Sequence, residues 1–148
     1  MATQQVWDTR FLALADTIAQ WSHDPHTHVG CIIVGPSKEI RSTGFNGLPR
    51  GTDDTAAHRK ARPEKYFWME HAERNAIYHA ARIGVSLLGC TLYVPWYPCM
   101  DCARAIVQVG LTTLVCKEPA FEDPRWGEDF KRARELFAEV GLQVRYVA

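Results

Sequence analysis

His71-Ala72-Glu73-Arg74-Asn75-Ala76-Ile77 and Pro98-Cys99-Met100-Asp101-Cys102-Ala103 are the two stretches that decide how this chain folds. Each reads as the start of a helix. Cys99 and Cys102 are three apart, so on a helix they share a face. In a first turn they sit at the positive end of the helix dipole, which favours thiolates. His71 and Glu73 take the first turn of the other helix. Both helices are expected to follow strands and begin at one edge of a sheet, where ligands of open α/β sheets collect. One imidazole and two thiols make three metal ligands, with a fourth position left for water. A catalytic zinc site has that pattern, whereas a structural one closes all four positions with protein. Glu73, two residues from His71, need not be a ligand and is placed to carry protons. Two other readings of the CxxC stand beside this one. A redox pair leaves His71 and Glu73 without a role. A closed structural site needs a fourth ligand, for which His26, His28 and His58 are candidates.

Outward from these stretches the pattern alternates. Trp7, Phe11, Leu14, Ile18 and Trp21 recur at helical spacing over 6–21. Runs 29–34 and 39–45 flank a Gly-Pro turn and read as an antiparallel hairpin. A polar, basic insertion over 52–69 precedes His71, and loops of that length are usually functional or disordered. A helix over 70–82 stops at Gly84, a strand covers 90–94, and Pro98 opens a helix over 99–109. A strand over 112–116, a helix over 125–140 with Phe130, Ala133, Leu136, Phe137 and Val140 on one face, and a strand over 142–147 complete the chain. The last three strands are joined by helices and should run parallel. The expected fold is a three-layer α/β/α arrangement around a mixed five-stranded sheet, as one domain over 1–148.

The whole chain limits the possible functions. Its 148 residues suffice for a sizeable core. Seventeen basic and seventeen acidic residues give no net charge, which argues against a stable nucleic-acid partner, since such proteins carry a basic footprint. No apolar run suits a membrane span, and the N-terminus lacks the pattern of a signal peptide. Five cysteines, an odd number with two in a CxxC, point to a reducing compartment, with the cytoplasm as default. Cys31, Cys90 and Cys116 read as small buried hydrophobes.

Together the two stretches match the HxE…PCxxC signature of zinc deaminases. Over nearly its whole length the chain resembles the cytidine/deoxycytidylate deaminase superfamily. The resemblance extends to Asp24-Pro25, Thr27, Val29-Gly30, Gly44-Phe45-Asn46-Gly47, Leu92-Tyr93-Val94 and Gly110. Gly44 to Gly47 and the insertion before His71 point to the dCMP branch. The resemblance implies a cytidine deaminase-like fold and hydrolysis of dCMP to dUMP and ammonia, supplying thymidylate synthesis. It implies one Zn2+ held by His71, Cys99 and Cys102, with Glu73 as proton shuttle. It places Asn46 at the sugar, Thr27 in the substrate site, the Ala72 backbone at the base, and the chain before Pro98 at the exocyclic amine. It further implies a homo-oligomer, in many relatives a hexamer, regulated by dCTP and by dTTP with Mg2+. Gly44, Phe45, Gly47 and Arg82 lie in the regions tied to that control. Some relatives carry a second, structural zinc, for which His26, His28 and His58 are the candidates. His23 and His28 depart from the lysine and glutamine common in relatives.

Several residues keep two readings. Trp96 and Tyr97 either wall the pocket or are core aromatics at a strand end. Asn46 alone would read as half of a turn pair. Arg50, Arg59, Lys60, Arg62, Lys65 and Arg125 are phosphate candidates or a solvated basic surface. Two other functions compete: another nucleoside, nucleobase or tRNA adenosine deaminase on this fold, and a non-catalytic zinc or single-strand-binding module using the five tryptophans.

Overall fold

Every residue of the strand Gly30–Val34 (β1) is buried, and its side chains alternate between two cores. Cys31 and Ile33 join the larger core, while Ile32 and Val34 join the smaller one on the opposite face. A strand apolar on both sides belongs inside a sheet that is covered twice. In this computed structural model, which describes residues 1–148, β1 pairs antiparallel with β2 (Ile40–Phe45) and with β3 (Thr91–Tyr93). β4 (Thr113–Cys116) and β5 (Gln143–Tyr146) continue from β3 in parallel, giving the order β2-β1-β3-β4-β5. The expected hairpin, the three parallel strands and the mixed five-stranded sheet are all present.

One helix, α1 (Gln4–Ala19), covers the smaller core with Phe11, Leu12, Ala15 and Ile18. The other face carries α3 (Ala72–Ile83), α4 (Met100–Gln108) and α5 (Gly127–Val140), which supply Ala76, Ile106 and Phe137 among others. That α4 and α5 share a face follows from the right-handed crossovers between parallel strands. The apolar stripe of the first helix differs at one end. The helix stops at Ala19, and Trp21 beyond it is exposed, meeting Phe45 edge-on at 6.2 Å. Val140 is exposed as well, because α5 ends there before turning into β5.

β2 and β3 both oppose β1, so they run the same way and end at one edge of the sheet. α4 leaves that edge soon after β3. α3 does not follow β2 directly, since the insertion intervenes, holding a 3-10 turn (Ala57–Arg59) and the one-turn helix α2 (Lys65–Trp68). The insertion is closed at its base. Gly47 N donates to Glu70 O at 3.1 Å and Glu70 N donates to Gly47 O at 2.8 Å. The chain therefore returns to where β2 ended, and α3 begins there. Gly44 lets the helix lie close: a Cβ at that position would stand 2.4 Å from Ala72 O and 2.5 Å from Ala76 N. Gly30 does the same for α1, where a Cβ would come within 1.9 Å of Ala15 O.

α1 is also tied to the sheet by a buried carboxylate. Asp8 accepts from Tyr93 Oη at 2.9 Å, from Arg145 Nε and Nη2 at 2.8 and 3.0 Å, and from Gln4 Nε2 at 2.7 Å. Burial would raise the Asp8 carboxyl, but Arg145, Gln4 and Tyr93 outweigh it and hold it below its ordinary value. A lowered folded-state pKa adds stability that is complete above the unfolded value, about 3.9, and is lost as pH falls through the folded one. Asp8→Ala strands Tyr93 and Arg145, and should cost about 2–3 kcal/mol at pH 7. Urea melts at pH 7 and pH 3 check this, with the gap to the unsubstituted protein shrinking at pH 3.

Candidate metal centre

Four side chains from the two quoted stretches meet at the shared sheet edge. His71 is the N-cap of α3 and Cys99 the N-cap of α4. Each stands one residue before the first turn in which it was expected. Cys102 lies inside the first turn of α4 and Glu73 inside that of α3. Cys99 Sγ is 3.4 Å and Cys102 Sγ 3.5 Å from His71 Nδ1, and the three ligand atoms lie within 4.8 Å of one another. Zinc bonds of about 2.3 Å to sulfur and 2.0–2.1 Å to nitrogen, at tetrahedral angles, put sulfur and nitrogen about 3.5 Å apart. The donor set and its spacing fit zinc, with one position left open. The loop histidines 26, 28 and 58 join no group of three or more metal-competent side chains. His28 Nε2 lies 2.8 Å from Asp24 O, and His26 Nδ1 lies 3.6 Å from Asp24 Oδ1.

The four groups shift one another's protonation. A hydrogen bond from Cys102 and, against the cost of burial, the neighbouring His71 pull the Cys99 thiol down to about 4. Cys102 is pushed up, by the hydrogen bond it gives Cys99 and by burial. A zinc ion bound here would need both thiols deprotonated and His71 neutral, so its binding would release protons. Glu73 is 5% exposed, and burial raises its carboxyl. Its Oε2 lies 3.4 Å from Cys102 Sγ, beside the ligands rather than among them. Arg74 braces the two helix starts. It pairs with Glu70, and its Nη1 lies 3.7 Å from Asp101 Oδ2 on α4.

A cavity of about 420 Å³ opens over this cluster, within the size range of small-molecule sites. His71, Ala72, Glu73 and Cys99 line it, as do Thr27, Asn46, Trp96 and Tyr97, so most of the residues expected at the site do meet. The two aromatics divide between their two readings. Trp96 is half exposed at the cavity wall. Tyr97 also lines the cavity but is buried, with its ring edge-on to Phe121, Phe130 and Phe137 at 5.5–6.1 Å. Asn46 is more than half of a turn pair. Its Oδ1 accepts from Val29 N and its Nδ2 donates to Thr27 O, both at 2.8 Å, pinning the 24–29 loop against the end of β2.

Among the basic candidates, Arg62, Lys65 and Arg125 line the cavity. Lys65 is buried, and its Nζ lies 2.7 Å from Asp24 Oδ2. That pair latches the insertion to the 24–29 loop, and its 41-residue separation gave no local signal. Arg50 and Lys60 border a second cavity of about 250 Å³, together with Phe45 and Gly47. Arg59 stacks on Trp68 at 4.0 Å. Gly44 and Arg82 border neither cavity: Gly44 faces α3, and Arg82 is exposed in the last turn of that helix. Tyr66 and Trp126 also line the site, although neither stood out in the sequence.

Comparison with known proteins agrees with this geometry. The model of the family described as cytidine and deoxycytidylate deaminase zinc-binding region matches residues 5–118. The deoxycytidylate deaminase of Homo sapiens is 34% identical over 144 residues, covering 94% of this chain and 78% of the human protein. That of Enterobacteria phage T2 is 45% identical over 162 aligned positions, covering 82% of this chain and 86% of the phage protein. The crystal structure of dCMP deaminase from cyanophage S-TIM5, in complex with dCMP and dUMP, superposes with a TM-score of 0.78 at 21% identity, over 99% of this chain and 100% of that one. The family match spans both halves of the split metal site, and those halves converge in space as one three-ligand zinc pocket beside a buried glutamate, so the chain belongs to the cytidine and deoxycytidylate deaminase family.

Proposed function

We propose that this chain hydrolyses deoxycytidylate: dCMP and water give dUMP and ammonia, and the dUMP supplies thymidylate synthesis. The observation that carries the proposal is Glu73, a buried carboxyl against Cys102 at the floor of a nucleotide-sized cavity. A structural metal site has no use for such a group. His71, Cys99 and Cys102 would hold zinc, which when bound supplies Lewis-acid activation of water. Glu73 takes a proton from the attacking water and returns it to the ring nitrogen and then to the leaving amine.

The rim supports a nucleotide over a free nucleoside. Lys65 is occupied by Asp24, which leaves Arg62 and Arg125 for the 5′-phosphate. Arg125 lies over the rings of Tyr66 and Trp126, at 4.9 and 5.4 Å from their centroids. Stacking of this kind orients a guanidinium for bidentate phosphate contacts. Trp96 is available to stack on the pyrimidine. The second lone pair of Asn46 Oδ1 is available to a sugar hydroxyl. The Ala72 backbone and the chain before Pro98 complete the contacts to the base.

The regulatory reading extends the proposal. The second cavity, where Phe45 and Gly47 meet Arg50 and Lys60, is the place we assign to dCTP, or to dTTP with Mg2+. Tyr78, Ile83 and Leu88 are each more than half exposed, which supports a homo-oligomer, in size a hexamer by resemblance. No helix is long and apolar enough to cross a membrane, and a cytoplasmic location is proposed from the cysteine usage.

The zinc-loaded protein should release ammonia from dCMP and lose that activity to a chelator, with zinc restoring it. No turnover on dCMP, deoxycytidine, cytosine or RNA adenosine would overturn the catalytic reading. Glu73→Gln should retain zinc by metal analysis while kcat falls about a hundredfold or more. Arg125→Ala should raise KM for dCMP about tenfold, as expected for loss of a charged hydrogen bond. Deoxycytidine kinetics should be unchanged by that substitution, which separates phosphate binding from general damage.

A further inference from the structure

The helix that carries both thiols has no cap of its own. Ser, Thr, Asp or Asn usually stands at an N-cap and accepts from the first free N–H groups. Here the N-cap is Cys99, whose side chain makes no capping hydrogen bond and faces His71 instead. The first amide of the helix instead finds an acceptor on another helix. Asp129 Oδ2 accepts from Met100 N at 2.6 Å, reaching from the first turn of α5. No ion pair within 4.0 Å engages the Asp129 carboxylate. Met100 N is the amide immediately after Cys99, so this bond fixes the peptide from which a ligand thiol projects. Asp129 also follows closely on the 123–126 segment, all four residues of which line the cavity.

We infer that Asp129 is a positioning residue for the metal centre: it holds the first amide of α4, and with it the peptide that follows Cys99, and so keeps the Cys99 sulfur in line with His71 Nδ1. The inference rests on the zinc reading of His71, Cys99 and Cys102. Groups that orient metal ligands in this way commonly matter about 10–100-fold to metal affinity. A hydrogen-bond acceptor is what the position requires, not a charge. Asparagine should therefore replace aspartate here, whereas alanine should not.

The test is the rate at which zinc leaves the loaded protein for a coloured chelator. Asp129→Ala should release zinc about tenfold faster than the unsubstituted protein, and Asp129→Asn should stay within about threefold of it. Release from Asp129→Ala at the unsubstituted rate would overturn the inference, and so would Asp129→Asn as impaired as alanine. If the unsubstituted protein itself retains no zinc, the metal reading fails first, which keeps the two failures distinct. Hydrogen exchange in the unsubstituted zinc protein gives a measurement that needs no variant to fold. The Met100 amide should exchange at least tenfold more slowly than the Asp101 amide beside it, and equal rates would overturn the capping role.

Discussion

The metal centre depends on how closely α3 can approach β2. At Gly44 only hydrogen separates the strand from the backbone of Ala72 and Ala76, and no larger side chain fits. That contact sets the depth of α3, and with it the positions of His71 and Glu73 over the sheet edge. The two backbone bonds between Gly47 and Glu70 set where the helix starts. Between them they turn a long excursion of chain into a strand-to-helix junction, like the one that carries Cys99 and Cys102. Ser42 adds a third tie, its Oγ donating to Ala76 O at 2.6 Å.

Once the two helix starts are adjacent, the electrostatics follow from burial. Two N-termini pointing at one place favour anions there. The sequence supplies thiols and a carboxyl, and burial opposes their charge. In the absence of metal only one of the group, Cys99, is held strongly towards its charged form, with His71 beside it. A dication held by His71, Cys99 and Cys102 would resolve the conflict, because both thiols could then ionise without leaving net charge in the core. Arg74 and Asp101 lie on the outer side of the cluster, where solvent screens their pairing and they act mainly as a brace.

The cavity above is assembled from segments far apart in the chain. The 24–29 loop is pinned by Asn46, the insertion is latched by Lys65 to Asp24, and α5 enters through 123–126. Buried ion pairs contribute little net stability but are costly to break, so the Asp24–Lys65 pair serves better as a register pin than as a source of stability. Burial would raise Asp24, but Lys65 and the backbone amides of His26 and Thr27 outweigh it, holding the carboxylate charged against the ammonium. The insertion is thereby fixed in one position over the site.

The sequence by itself determined the chemistry and the sheet. HxE and PCxxC offer metal-competent side chains through residue type and local spacing, and the strand and helix periods are local properties that survive any packing. The same holds for Cys31, Cys90 and Cys116, whose apolar surroundings are written in the flanking residues and which the fold does bury. Tertiary structure alone decided what depends on contacts between distant residues. Trp96 and Tyr97 are neighbours in the chain and both line the cavity, yet Trp96 is half exposed while Tyr97 is buried with its ring against Phe121, Phe130 and Phe137. Six basic residues looked equivalent, but only the fold shows that Lys65 is taken by Asp24 and Arg59 by Trp68, while Arg62 and Arg125 stay at the rim. Gly44 is also the point where helix meets strand, a contact with Ala72 and Ala76 that the sequence did not show. The cap on α4 was hidden for the same reason, since a hydrogen bond from Met100 to Asp129 spans 29 residues and leaves no periodicity behind.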